Sequence, residues 1–257
     1  MPAPPLTSLF ASGDKRETMT PGAIDASQRR AARVAGLANL LGMATVVVAQ
    51  YVLFGPLVVR GDAAATARNI LAHERLFRLS IAFDLLYVVG VLVLIAALYV
   101  ILKPVGPGLA LLAAMSRLVY ALTWVALAMS LFAGVRLLGD STSRNVFGAE
   151  TVPAIARLYF GRGFEAYYVG LPFYALAATI CSWLFLRSGY IPKSLAVFGL
   201  VSSAWCVTCA FLYIVSPDFG RAVNPYWFDS PMALFEIAAS VWLLLRGLPT
   251  SGTRLRA

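Results

Sequence analysis

Residues 79–102 read LSIAFDLLYVVGVLVLIAALYVIL, and residues 109–138 read LALLAAMSRLVYALTWVALAMSLFAGVRLL. Between them stands Lys103-Pro104-Val105-Gly106-Pro107-Gly108. A helix rises about 1.5 Å per residue, so about 20 apolar residues cross a hydrocarbon layer roughly 30 Å thick. Both runs exceed that length. A segment with two prolines and two glycines does not continue a helix, so the stretch predicts two antiparallel membrane-spanning helices joined by a tight turn.

Similar runs occur at 34–59, 166–186, 194–215 and 231–248, the last being the shortest. Hydrophobic residues make up 60% of the chain and charged residues 13%, against roughly 45–50% and about 25% in soluble domains. The expected fold is all-α: one polytopic bundle over 29–248 with six spans and short interfacial helices. Residues 1–28 hold Pro, Gly, Ser and Thr without the apolar centre of a signal peptide, and read as a disordered tail. Within that tail Met19 offers a second translation start, and 249–257 form a C-terminal tail. Asp62 stands where an N-cap would open a short helix over 63–80, and Thr151–Tyr159 suits a second interfacial helix. Arg187–Lys193 is another tight turn. Ser216–Ser230 is a longer connection whose Tyr226 and Trp227 fit an interfacial aromatic belt.

The net charge is +9, but the arginines flank apolar segments, and no basic run interleaved with aromatics suggests nucleic-acid binding. The lipid bilayer, and anionic lipid in particular, is the expected partner; a homo-oligomer or another membrane partner stays open. With the N-terminus inside, eleven basic residues fall on the inner side and nine on the outer, among them Lys15, Arg16, Arg29, Arg30 and Arg33 ahead of the first span. Both termini are therefore expected in the cytoplasm.

Chemistry-bearing residues are few. Cys181, Cys206 and Cys209 all fall within spans, and Cys206-Val-Thr-Cys209 has neither a second pair nor a thioredoxin-like context. With His73 the sole histidine, neither a metal site nor a serine–histidine pair is expected. The chain calls for no cofactor, and enzymatic activity is not expected.

Three charged residues interrupt the spans: Asp84, Arg117 and Glu236. Ionisable groups in a bilayer are costly, so they form the candidate intramembrane polar site. Asp84 and Arg117 lie at depths differing by about 15 Å, too far apart for a direct pair. Counted from the expected span ends, Glu236 lies level with Asp84. That places an acidic pair near the outer surface with Asp62, Arg78 and Arg136 as supporting charges, and leaves Arg117 alone nearer the inner side, with Tyr120 and Trp124 on its own face. Asn39 and Gln50 share a face of the first span, as interhelical hydrogen-bonding groups would.

The segment Gly61-Asp62-Ala63-Ala64-Ala65-Thr66-Ala67-Arg68-Asn69-Ile70-Leu71, followed by Leu76-Phe77-Arg78, resembles the opening signature of the domain-of-unknown-function 4386 family. The likeness continues through Asp84, Leu98–Val105, Leu109–Ala113, Arg117-Leu118, Arg187–Pro192, and Glu236 with Trp242-Leu243-Leu244. It covers roughly Ala32 to Gly247. It implies a bacterial multi-pass membrane protein, hence the cytoplasmic membrane, and supplies no activity. Three readings stay open: a structural, sensory or accessory protein whose buried charges fix helix packing; a small-solute or ion transporter or channel with an outer cavity around Asp84 and Glu236; and, third, a lipid-interface enzyme drawing on Asp62, His73 or Glu74.

Overall fold

A computed structural model describes residues 24–148, 151–216, 218–224 and 226–249, apart from the side chains of 143–144, 161–165 and 226. Helices α1 (Ala26–Val47), α2 (Ala63–Ala72), α3 (Glu74–Leu102), α4 (Pro107–Gly139), α5 (Ser141–Phe147), α6 (Thr151–Ser188), α7 (Lys193–Val215), α8 (Phe219–Ala222) and α9 (Tyr226–Leu245) make up the described chain. Six helices are long and apolar enough to cross a membrane: α1 with its extension, α3, α4, the later part of α6, α7 and α9. This is a multi-pass membrane protein.

The spans follow from side-chain spacing. On α3, Ser80, Asp84, Tyr87, Val91, Leu94, Ala97 and Ile101 are buried, at steps of three and four residues that keep one face inward. Leu85, Leu86, Val89, Leu92 and Val93 lie exposed on the opposite side, where lipid replaces water as the solvent. Pro107 starts α4 in the first helical positions after an extended Gly106, because proline lacks only an N–H that the first turn leaves unbonded anyway. At the other hairpin Gly189 takes φ 66°, a left-handed conformation that side-chain-free glycine adopts at little cost.

Around the bundle the spanning helices are packed in chain order, α1 on α3, α3 on α4, α4 on α6, α6 on α7 and α7 on α9, and α9 packs back on α1. The six helices thus close a ring. Its two ends are distinct: one carries the tight α3–α4 and α6–α7 turns, the other carries α2, α5 and α8. Because lipid gives no hydrophobic drive between helices, close approach at small residues has to hold the ring together. A Cβ placed on Gly36 of α1 would run into the backbone of Ser240 and Leu244 on α9. One on Gly199 of α7 would run into the ring of Phe235 on α9. On the α1–α3 seam, Gly90 lies against Gly42, which itself meets the ring of Tyr87.

Several expected boundaries move. The first helix starts at Ala26, capped by Asp25, so 26–28 belong to the helix; residues 1–23 and 250–257, most of the two expected tails, lie outside the described residues. Beyond Val47 the first span widens into a π-helical turn, Val48–Phe54, and a 3₁₀ turn, Gly55–Leu57. Thr151–Tyr159 is no separate interfacial helix, since α6 runs unbroken for 38 residues. The last span begins at Tyr226, with Pro231 inside the helix. The expected start at Pro231 rests on proline's habit of opening a helix or breaking one.

Candidate functional site

Arg117 and Glu236 meet in the middle of the ring. The Arg117 Nη2 donates to Glu236 Oε1 at 2.8 Å, and their side chains are 4% and 6% exposed. Tyr174 of α6 donates its hydroxyl to the other carboxylate oxygen, Oε2. The same tyrosine ring lies 4.7 Å from the guanidinium carbon of Arg117, a cation–π contact worth on the order of 0.5–2 kcal/mol. Helices α4 and α9 stand opposite each other in the ring, so the ion pair spans its interior and ties together helices that are not neighbours around it.

The depths explain why these two meet. Arg117 is ten residues into α4 and Glu236 nine residues from the end of α9, about 15 Å and about 14 Å above the turn-bearing end. Asp84 stands about 27 Å above that end. The expected pairing of Asp84 with Glu236 is therefore corrected: counting Glu236 from Pro231 rather than from Tyr226 set it too close to the α2-bearing end. Asp84 and Arg117 indeed have different partners. Asp84 itself, fully buried, receives Gln50 Nε2 at 2.9 and 3.0 Å on its two oxygens.

The supporting charges do not assemble around either site. Asp62 caps α2 by accepting from the Ala65 N–H at 2.8 Å. Arg78 is half-exposed, bonded to Glu74 at 2.7 Å and set over the Phe132 ring at 5.3 Å. Arg136 is exposed in the last turn of α4. His73 is exposed with Nδ1 3.1 Å from the Asn69 carbonyl. The cation–π partner of Arg117 is Tyr174 rather than Tyr120 or Trp124 on its own helix, although those two pack around it: Tyr120 meets Tyr174 at 4.5 Å and Tyr87 meets Trp124 at 4.9 Å between centroids.

Asn39 and Gln50 both bridge helices, though to different neighbours. Asn39 Nδ2 donates to Ser240 Oγ on α9 at 2.8 Å, whereas Gln50 reaches α3. Tyr174 does not stand out in the sequence, nor does a second tie, in which Tyr167 Oη donates to Asp229 Oδ2 at 2.8 Å. A signal for both existed. Tyr167 and Tyr174 are seven residues apart on α6, as Asp229 and Glu236 are on α9; the two helices run parallel, so one heptad repeats the same tyrosine-to-carboxylate bond.

Space at the site is scant. A cleft of about 10 Å³ lies between α3, α4 and α6, bounded by Leu98, Tyr99, Ala113, Arg117 and Cys181, which is room for about one water molecule. Buried Arg117 Nε, Trp124 Nε1 and Ser182 Oγ have no hydrogen-bond partner among the described residues. Also among the described residues, no three His, Cys, Asp or Glu side chains converge as metal ligands would, and the three cysteines are buried as free thiols.

A family model described as "Domain of unknown function (DUF4386)" matches residues 34–247, a stretch that holds all six spans beyond the opening of α1 and every residue of the Arg117–Glu236–Tyr174 and Asp84–Gln50 groups. The chain belongs to the DUF4386 family. No curated protein and no solved structure matches it. DUF4386 membership accounts for the resemblance carried by Asp84, Arg117 and Glu236 and leaves their work to be argued from geometry.

Proposed function

We propose that this DUF4386 protein is a structural, sensory or accessory component of the bacterial cytoplasmic membrane, not an enzyme, with buried charges that fix the packing of its six helices. The observation that carries this reading is the Arg117–Glu236 bond across the ring. A lone charge at the bilayer centre costs about 2.5–3.5 kcal/mol on the insertion scale. Pairing discharges both groups at once, and the Tyr174 hydroxyl occupies the second carboxylate oxygen. A carrier would need room for a solute beside these groups, and the adjoining cleft fits about one water. The basic residues Arg29, Arg30 and Arg33 at the head of α1 support cytoplasmic termini, and anionic headgroups suit the arginine-rich rim.

The test sets stability against transport. Glu236→Gln and Arg117→Gln are expected to lower the amount of folded protein in the membrane and its melting temperature in detergent. If both variants accumulate and melt like the parent while a solute or ion flux through proteoliposomes disappears, the transporter reading replaces this one.

A further inference from the structure

The charge balance inside the ring does not close with Arg117 and Glu236. Those two cancel, which leaves Asp84 as a carboxylate at zero exposure. It lies about 15 Å below the start of α3 and thus within the hydrocarbon depth. Among the described residues, its hydrogen bonds come from one neutral amide, Gln50.

Among the described residues, the charged and titratable groups of the neighbouring elements are engaged or placed elsewhere. On α3, Arg78 holds Glu74, Arg75 is exposed, and Tyr87 meets Tyr120 of α4 through their hydroxyls at 3.4 Å. On α4, Arg117 holds Glu236 and Arg136 is exposed. On α2, Arg68 and His73 are exposed; on α6, Tyr167 and Tyr174 hold Asp229 and Glu236. From the first span, Tyr51 points outward at 65% exposure. Among the described residues no cationic side chain meets the carboxylate.

We propose that Asp84 and Gln50 form a binding site for one monovalent cation, a proton or a sodium ion, that neutralises the carboxylate inside the membrane. The amide suits such a site in both states. Its NH₂ donates to an ionised carboxylate; turned about its last bond, its carbonyl accepts from a carboxylic acid O–H or coordinates a sodium ion beside the two carboxylate oxygens. Binding a proton forms one O–H bond on Asp84 and removes one unit of negative charge, with nothing else consumed. Gln50 lies in the π-helical turn Val48–Phe54, where the Gly55 N–H bonds back to its carbonyl. π turns are rare and concentrate at functional sites, and this one brings Gln50 onto α3. Occupancy of the site thereby bears on how the first span seats against α3. The inference stands apart from the Arg117–Glu236 reading, since it uses neither residue.

Infrared difference spectroscopy of the full-length protein in proteoliposomes tests it, with Asp84→Asn as the comparison and sodium chloride or a potassium control as the probe. For a proton site, the carboxylic-acid C=O band of the parent is lost in Asp84→Asn and is indifferent to sodium. For a sodium site, that band appears only when sodium is withdrawn, and sodium raises the melting temperature of the parent but not of Asp84→Asn. Folded parent protein with no such band in either salt, and no selective effect of sodium, overturns the proposal. Gln50→Leu guards against misfolding of Asp84→Asn: it keeps the carboxyl and removes its partner, so the band must shift or the sodium response must be lost. An unchanged spectrum and sodium response in folded Gln50→Leu also overturns the site.

Discussion

At the scale of single residues, the protein shows how a bilayer tolerates charge: the fold carries Arg117 and Tyr174 to Glu236, and one neutral amide, Gln50, to Asp84. Glu236 takes Arg117 on one oxygen and Tyr174 on the other. Tyr174 has two duties, donating its hydroxyl and presenting its ring to the guanidinium, and the substitution Tyr174→Phe separates them. The ring contact stays while Glu236 Oε2 loses its donor, a buried acceptor left unmatched at about 1–3 kcal/mol. Reversible unfolding in mixed micelles is expected to show a loss in that range, well short of the loss on removing the carboxylate. Unchanged stability would mean that Oε2 finds another donor. Asp84, Arg117 and Glu236 stood out in the sequence because each breaks an apolar run. Tyr174 did not, because tyrosine is common in spans and only its heptad match to Glu236 gives it away.

At the scale of elements, what was legible was the length and polarity of each helix; what was not was where helices begin. Six spans follow from apolar runs that nothing but a bilayer requires, and the turns at Lys103–Gly106 and Gly189–Pro192 follow from their Pro and Gly. The depth of Glu236 did not follow, since the apolar run opens at Pro231 whereas the helix begins at Tyr226. The unbroken α6 was not legible for a related reason: the apolar run that reads as a span opens only at residue 166, whereas the helix begins at Thr151. Caps are the elements' own contribution. Asp25 accepts from the Gln28 N–H at 2.7 Å while Gln28 Oε1 accepts from the Asp25 N–H at 3.2 Å, a reciprocal capping box. The bond from the Gln28 backbone, then that from Ser27, holds the Asp25 carboxyl below its ordinary 3.8. A carboxyl whose value is depressed by folding stabilises above its unfolded value, and that contribution is lost as pH falls through the folded one. Amide exchange over 26–29 should therefore speed up selectively below pH 3.8, and Asp25→Ala should show the fast exchange at neutral pH as well. Equal protection of these amides across that range would remove the cap from the account.

At the scale of the whole molecule, six helices in chain order close a ring, and the ring needs something in its middle. Aromatic side chains supply much of it: Tyr87, Tyr120, Trp124 and Tyr174 all lie buried there. The ion pair supplies a tie across it, from α4 to α9, that packing between ring neighbours does not provide. None of this closure could be read from the sequence, because neighbour relations depend on contacts between distant runs, such as Gly36 against Ser240, and not on any local pattern. The central claim is that the Arg117–Glu236 pair acts as one unit in holding the bundle. A double-mutant cycle on Arg117→Met and Glu236→Met, read by reversible unfolding of the purified protein in bicelles, tests it most directly. Each single change leaves the other charge buried and unmatched and should cost about 3–5 kcal/mol, while the double change, with no charge left, should recover most of that loss. Losses that simply add, or single variants as stable as the parent, would contradict it.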